Sequence, residues 1–379
     1  MLNQTELAIE FPLDDKMIYL NHAAVAPWPL RTANAVRQFA EENIVYGASR
    51  YPDWVSKETE LRGQLMKLIN APSIDDIALL KNTSEALSVV ASGLKWQAGD
   101  NVVSTDEEFP SNRIPWQAQA KHGVELREIN LNDSDPEAAL ISACDHRTRI
   151  MAVSSVQYAS GLRLDLGRLG KFCRKEHILF CVDAIQSLGA YEVDAQAIMA
   201  DFMMADAHKW MLGPEGIALF YCREEIRGQL ELYQYGWHMV ENPGNYDAKI
   251  WQPAASAKRF ECGSPNMLGV HAFSASLALL ENMGMENIDR ITMKNTSYLI
   301  DSISNISSAL IKTPMSPTRH AGIVSFSINQ GDNPVIHQEL VRQGVICAFR
   351  GGCIRFSPHF YTSRDKIDEA LEILRRTID

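Results

Sequence analysis

Between residues 76 and 221 the chain repeats one pattern: a short, almost wholly apolar run, a polar cluster, then a stretch with helical spacing. Asp76–Leu80 (DIALL), Asn101–Ser104 (NVVS), Arg149–Val153 (RIMAV), Ile178–Val182 (ILFCV), Asp201–Ala205 (DFMMA) and Gly216–Tyr221 (GIALFY) read as strands. They lack the apolar–polar alternation of a sheet wetted on one face, so both faces must be covered. Ser84–Leu94 and Leu166–Glu176 have the spacing of covering helices. The pattern predicts an α/β fold with a mostly parallel central sheet sandwiched by helices.

The last third reads differently. Asn266–Asn282 and Asp289–Ser308 are helical. Gly322–Ile328 (strand), Pro334–Gln343 (helix), Cys353–Phe356 (strand) and Ser363–Thr377 (helix) then alternate. This predicts a smaller C-terminal α/β unit. We expect a large unit over 15–260 and a small one over 261–379, with segment 1–14 packing on the latter; 379 residues suffice for both. The formal charge of −11 and the absence of a basic run argue against a nucleic-acid partner. No apolar run approaches the roughly 18 residues of a membrane span. The first residues, MLNQTELAIEFPLDD, carry acids and lack a signal-peptide pattern. The seven cysteines form no CxxC pair, so neither a zinc site nor a disulfide framework is expected. Together these features predict a cytoplasmic protein with no metal.

In a parallel α/β sheet, ligands gather at the carboxyl ends of the strands. Lys81-Asn82-Thr83-Ser84-Glu85 follows DIALL, and Thr105-Asp106-Glu107-Glu108-Phe109-Pro110 follows NVVS. Ser154-Ser155-Val156-Gln157-Tyr158 follows RIMAV, Asp183-Ala184-Ile185-Gln186 follows ILFCV, and Asp206-Ala207-His208-Lys209-Trp210 follows DFMMA. This set suits pyridoxal 5'-phosphate (PLP). That cofactor asks for a lysine to form a Schiff base and a carboxylate to keep the pyridine nitrogen protonated. It also asks for a phosphate cradle at a helix N-terminus and a flat side chain against the ring. Lys209, Asp183, the Thr83–Ser84 helix start and Phe109 can supply these in turn. Each has an ordinary structural reading taken singly: a solvated lysine, two helix starts and a core ring. Five strand ends furnished this way by accident are much harder to accept. Neither GxGxxG nor GxxxxGK[ST] occurs, so dinucleotide and P-loop readings lack their main signal.

Here the chain resembles the class V aminotransferase family of fold-type I PLP enzymes, which includes cysteine desulfurases, selenocysteine lyases, isopenicillin N epimerase-like proteins and kynureninase. The resemblance runs from Tyr19-Leu20-Asn21-His22-Ala23-Ala24 to Ile354-Arg355-Phe356-Ser357-Pro358. It is most specific in Val182-Asp183-Ala184-Ile185-Gln186 with Ala207-His208-Lys209. Next come Arg259-Phe260-Glu261-Cys262-Gly263-Ser264-Pro265-Asn266 and Lys81-Asn82-Thr83-Ser84-Glu85-Ala86. It implies that Lys209 is the catalytic Schiff-base lysine and that Asp183 pairs with the pyridinium. Gln157 and Gln186 would lie near the ring hydroxyl, and Phe109 would stack on the ring. Thr83, Ser84 and His208 would contact phosphate. Ser264 would reach the phosphate of the neighbouring subunit, which implies a homodimer. Arg355 would take the substrate α-carboxylate, with Asn21 and His22 as further substrate candidates.

Two positions depart from the family pattern. Asp206 stands where desulfurases often have a hydroxyl that touches phosphate, and a carboxylate there would repel a dianion. Desulfurases also carry a nucleophilic cysteine on a mobile loop before the last arginine. Here Arg350-Gly351-Gly352-Cys353 runs straight into Ile354-Arg355, so Cys347 and Cys353 read as buried core residues. The expected activity is therefore β-elimination from an α-amino acid, of the selenocysteine lyase or cysteine C–S lyase kind. Cysteine desulfurase, epimerase and aminotransferase are the enzymatic alternatives. A PLP-binding regulatory protein without catalysis is the alternative of another class. Arg50, Trp237 and His238 lie in segments that the sequence does not place.

Overall fold

The computed structural model describes residues 2–132 and 134–378. Its strands are β1 (Ile18–Tyr19), β2 (Ile77–Leu80), β3 (Asn101–Thr105), β4 (Glu125–Ile129), β5 (Thr148–Ser154), β6 (Leu179–Asp183) and β7 (Phe202–Asp206). They continue with β8 (Ala218–Cys222), β9 (Ala309–Ile311), β10 (Val324–Ile328), β11 (Val345–Ile346), β12 (Ala348–Arg350) and β13 (Cys353–Phe356). The helices are α1 (Gln4–Glu10), α2 (Leu30–Tyr46), α3 (Tyr51–Leu68), α4 (Thr83–Gly93), α5 (Ile114–Gln117) and α6 (Pro136–Ser142). The later ones are α7 (Leu166–Lys175), α8 (Glu224–Arg227), α9 (Met267–Met283), α10 (Met285–Ser304), α11 (Asn333–Arg342) and α12 (Arg364–Ile378).

The large sheet has the order β2-β8-β7-β6-β5-β3-β4. Strand β8 runs antiparallel to both its neighbours, and the other pairings are parallel. Strands β2, β3, β5, β6 and β7 therefore point the same way, and their carboxyl ends share one edge. Side chains alternate between two cores, as strand pleating requires. Met151, Val153, Val182 and Met203 join Leu61 of α3 and Leu169 of α7 on one face. Ile150, Ala152, Cys181 and Met204 join Leu87 and Val90 of α4 on the other. This double covering is what the unbroken apolar runs imply.

The small unit packs the β12-β13-β10-β9 sheet against α10, α11 and α12. Strand β1 pairs in parallel with β11 and puts Ile18 and Leu20 into this third core, so the chain enters the large unit from the small one. Residues Leu7 and Phe11 join the first core, and Phe11 also stacks on Tyr361 at 3.5 Å. Helix α9 lies beyond residue 260, yet its Val270, Phe273, Leu277 and Leu280 share the first core with Val153 and Val182. Gly284, at φ +75°, turns the chain from α9 into α10.

Candidate active site

Lys209 stands three residues past the end of β7, and its backbone is held from several sides. Ala26 N–H donates to His208 C=O (2.8 Å), Leu212 N–H to Lys209 C=O (3.0 Å) and Gly213 N–H to Ala207 C=O (2.8 Å). Next to it, Trp210 Nε1–H donates to Gln186 Oε1 (2.9 Å), and Trp210 C=O pairs with His359 Nε2 (2.9 Å). Gly189 (φ +93°) passes under this turn, where a Cβ would lie 2.2 Å from the Trp210 carbonyl oxygen. The lysine side chain is thereby aimed from a fixed platform.

It enters a cavity of about 260 Å³ lined by Ala23, Ala24, Val25, Thr83, Phe109 and Ser111, by Tyr158, Asp183, Ile185 and Gln186, and by Asp206, His208, Lys209, Arg350 and Arg355. Burial, the largest influence, lowers the Lys209 amine to about 8, and Arg355 and Arg350 push the same way. Burial raises the Asp183 carboxyl, while Lys209 and the Ile185 N–H bond (3.0 Å) favour its charged form. Lys209 Nζ lies 5.7 Å from the centre of the Phe109 ring. Thr83 opens α4, whose N-cap Asn82 accepts from Glu85 N–H (2.8 Å), and Ser84 in the same turn bonds Ser111 (2.7 Å). Arg355 comes from the small unit on β13 and donates to Tyr158 C=O (2.7 Å). Its Nε is buried without a partner among the described residues, and burial lowers its pKa to about 10.

Thr83, Phe109, Asp183, Gln186, His208, Lys209 and Arg355 are thus brought together. Other candidates lie elsewhere. Gln157 is buried behind Tyr158 and donates to Glu108 Oε1 (3.1 Å), with its own Oε1 unpartnered. His22 is fully buried, and its ring nitrogens bond Ser357 C=O (2.8 Å) and Tyr361 Oη (2.5 Å). It fastens the two units together and does not line the cavity. Asn21, bridged to Ser357, does not line it either. Ser264 is exposed on the loop before α9, away from this chain's own cavity. Arg50 pairs with Glu42 at 3.6 Å, and Trp237 lines a separate surface cavity formed by residues 235–252.

Glu108, Tyr158 and Arg350 carry no assigned role in the sequence pattern, and Ser111 lies outside it. Glu108 is wholly buried and gathers Ser154 N–H (2.7 Å), Asn112 Nδ2–H (2.9 Å) and Gln157, behind the wall that carries Phe109. A carboxylate one residue before the candidate stacking ring was the available signal. Among the described residues, Glu58, His238 and Glu261 bring ligand atoms within 4.8 Å of one another. Arg62 already donates to both carboxylates there, which fills the role a cation would have.

The residues fit PLP. A buried carboxylate suits the pyridinium, a lysine held towards neutrality suits the aldehyde, and a helix N-terminus with hydroxyls suits the phosphate. A cavity so furnished, at the carboxyl edge of a mostly parallel sheet and closed by an arginine from a second unit, defines a fold-type I PLP enzyme. Residues 18–369 match the class-V aminotransferase family, a PLP-dependent family, and the chain belongs to it. It is 32% identical over 382 residues to a probable cysteine desulfurase of Methanothermobacter thermautotrophicus, covering 94% of each chain. The fold matches the apo structure of a cysteine desulfurase from Thermococcus onnurineus NA1 (26% identity, TM-score 0.88, 99% of this chain and 98% of that one). It also matches a cystine C–S lyase solved with its product cysteine persulfide (23% identity, TM-score 0.88, 96% of this chain and 98% of that one). Among the described residues no helix is long and apolar enough to cross a membrane.

Proposed function

We propose that this enzyme cleaves the Cβ–S or Cβ–Se bond of a cysteine-type α-amino acid by direct β-elimination, without passing sulfur to a thiol of its own. The observation that carries this reading is the β12–β13 hairpin. Arg350 pairs with Cys353 across a two-residue turn, Gly351-Gly352, with φ of +56° and +78°. Both central residues have positive φ, as a tight two-residue hairpin turn requires, and no mobile loop remains. Cys353 and Cys347 are buried and lie outside the cavity lining. Burial raises both thiols, Cys347 to about 12, whereas a sulfur-accepting cysteine must be an accessible thiolate.

PLP bound here supplies the electron sink for charge released at the substrate α-carbon. Lys209 would hold the cofactor covalently until the substrate amine takes its place, and its freed Nζ, kept towards neutrality by burial, would accept the substrate α-proton. Asp183 would hold the charge of the pyridine nitrogen. Arg355 takes the α-carboxylate with its planar fork, which fixes which bond to the α-carbon faces the lysine. Phe109 would lie against the ring and Gln186 would face its hydroxyl side, Gln157 would support the wall behind through Glu108, and Thr83 and His208, with Ser84 in the same first turn of α4, would hold the phosphate. Ser264, exposed and away from its own cavity, serves the partner's cofactor in a homodimer. The exposed Ile44 and Val45 at the end of α2 are consistent with such an interface. Seven unpaired cysteines suit a reducing cytoplasm.

The test is turnover of cysteine, cystine and selenocysteine by Cys347→Ala, Cys353→Ser and Cys262→Ala, reading pyruvate, alanine, sulfide and selenide. The proposal expects each variant to keep its cofactor spectrum and at least a third of wild-type turnover. Loss of sulfur release in any one of them, with a normal spectrum, establishes a persulfide mechanism of the desulfurase kind. A keto acid that still carries the substrate's sulfur or selenium, or inverted substrate, as the main product favours aminotransferase or epimerase chemistry.

A further inference from the structure

Two polar atoms with no partner among the described residues stand beside each other next to the start of α4: Asp206 Oδ1 and His208 Nδ1. Asp206 ends β7, donates its own N–H to Thr83 Oγ1 (3.1 Å) and lines the cavity with Thr83 and His208. Its Oδ2 is 3.8 Å from His208 Nδ1. These two do not form an ion pair: burial and the charge of Lys209 lower His208 to about 4, so its ring is neutral near pH 7. A buried, unpartnered carboxylate oxygen is costly, and a phosphate dianion brought against it would add like-charge repulsion.

The charges around this corner do not relieve that repulsion. Hydrogen bonds with Thr83 and the charge of Lys209 favour the Asp206 carboxylate, but Thr83 adds no positive charge and the Lys209 amine would be taken up in the link to the cofactor. Glu215, from the turn before β8, and Asp183, at the end of β6, add negative charge. Arg350 and Arg355 line the same cavity and bear on Lys209. Thr83, Ser84, Ser111 and a neutral His208 offer donors without charge.

We propose that Asp206 takes part in phosphate binding as an acid, so that one proton is held between its carboxyl and the cofactor phosphate and is taken up from solution when PLP binds. This rests on the placement of the phosphate at the start of α4. No bond is made or broken except to this proton, which comes from solvent and is shared between two oxygens. The His208 Nδ1–H then donates to the same phosphate, and both orphaned atoms gain partners.

The consequence is a linkage. In solution the second phosphate ionisation lies near pH 6, and burial raises the free Asp206 carboxyl to about 6. Above this range both are ionised before binding, and the complex must recover one proton. The dissociation constant for PLP should then rise about tenfold per pH unit relative to a variant that needs no proton. Asp206→Asn is that variant, because its amide binds a dianion as a neutral donor.

Equilibrium dialysis of PLP at pH 6.5, 7.5 and 8.5 tests this independently of turnover. The ratio of wild-type to Asp206→Asn dissociation constants should grow about a hundredfold across the range. With pyridoxal, which lacks the phosphate, the ratio should stay flat. A flat ratio with PLP, or an equal trend with pyridoxal, overturns the proposal while leaving the cofactor assignment standing. Failure of the wild-type protein to retain PLP at any of the three pH values overturns both. Should Asp206→Asn not fold, calorimetry of the wild-type protein in buffers of different ionisation heat replaces it. Near pH 7.5 it should show about one more proton taken up with PLP than with pyridoxal, and an equal uptake contradicts the proposal.

Discussion

Asp183 and Lys209 share one buried cavity, and each favours the charged form of the other. The sheet produces this relationship. Asp183 ends β6 opposite Met204 of the parallel neighbour β7, so the turn that leaves β7 returns Lys209 to the same edge. A bound pyridinium would give Asp183 a second cationic partner.

Replacing that carboxylate tests the partnership. Hydrogen bonds to charged groups contribute about 1.5–3 kcal/mol, and about 1.4 kcal/mol is a factor of ten in rate. Turnover of Asp183→Asn should therefore fall roughly 10- to 150-fold. Its cofactor-free stability should not fall at neutral pH. A carboxyl whose pKa is raised by folding costs stability increasingly as pH climbs from its unfolded value of about 3.9 to the raised value, and in full above it, and the amide removes that cost. Thermal unfolding with steady-state kinetics reads both, and wild-type turnover would remove Asp183 from this role.

The amine of Lys209 gives a pH dependence. Imine formation needs the neutral amine, and burial brings its pKa down from the ordinary lysine range near 10.4 to about 8. The rate of reaction with pyridoxal, followed by absorbance, should climb about tenfold per unit below pH 8 and level off above it. A rate still climbing tenfold per unit at pH 9.5 would mean the amine is not depressed. Pyridoxal is the right probe because it carries no phosphate protons.

Stability rests heavily on Arg62. It donates to Ile77 C=O (2.8 Å) and to both oxygens of Glu261 (2.6 and 2.7 Å), and it also pairs with Glu58, all in the buried interior. Glu261 in turn accepts from Leu79 N–H (2.8 Å), which ties β2 to the loop that carries Ser264. Removing one partner of a buried ion pair costs about 3–5 kcal/mol. Arg62→Ala should lose about that much in chemical denaturation, and a loss below about 1 kcal/mol would show that water replaces the guanidinium.

Much of this was legible because burial on both faces writes strands as plain apolar runs. Six such runs were found, and DIALL, ILFCV and DFMMA matched their strands to within a residue or two. Their shared edge followed from parallel packing alone. Strand β4 was missed because it lies at the sheet edge, where ELREI is half polar. Helices α2 and α3 carry mixed surfaces with few buried positions over long stretches, so their apolar stripe is faint. The direction of β8 cannot be read from GIALFY, since a buried strand looks alike in either direction. Ala23 and Ala24 line the cavity, while His22 before them points into the seam against Ser357 and Tyr361, a direction that the sequence motif does not encode. A site role for Arg350 is not legible in the sequence, because only the Gly351-Gly352 turn, folding β12 onto β13, sets it beside Arg355.

Every other role in the cavity depends on Lys209 being the residue that holds the cofactor. The direct measurement is borohydride reduction of the PLP-loaded protein, followed by proteolysis and mass mapping. The predicted result is a single phosphopyridoxyl group on the peptide containing Ala207-His208-Lys209-Trp210, with no label there in Lys209→Ala. Label on another lysine, or none after loading, would contradict it.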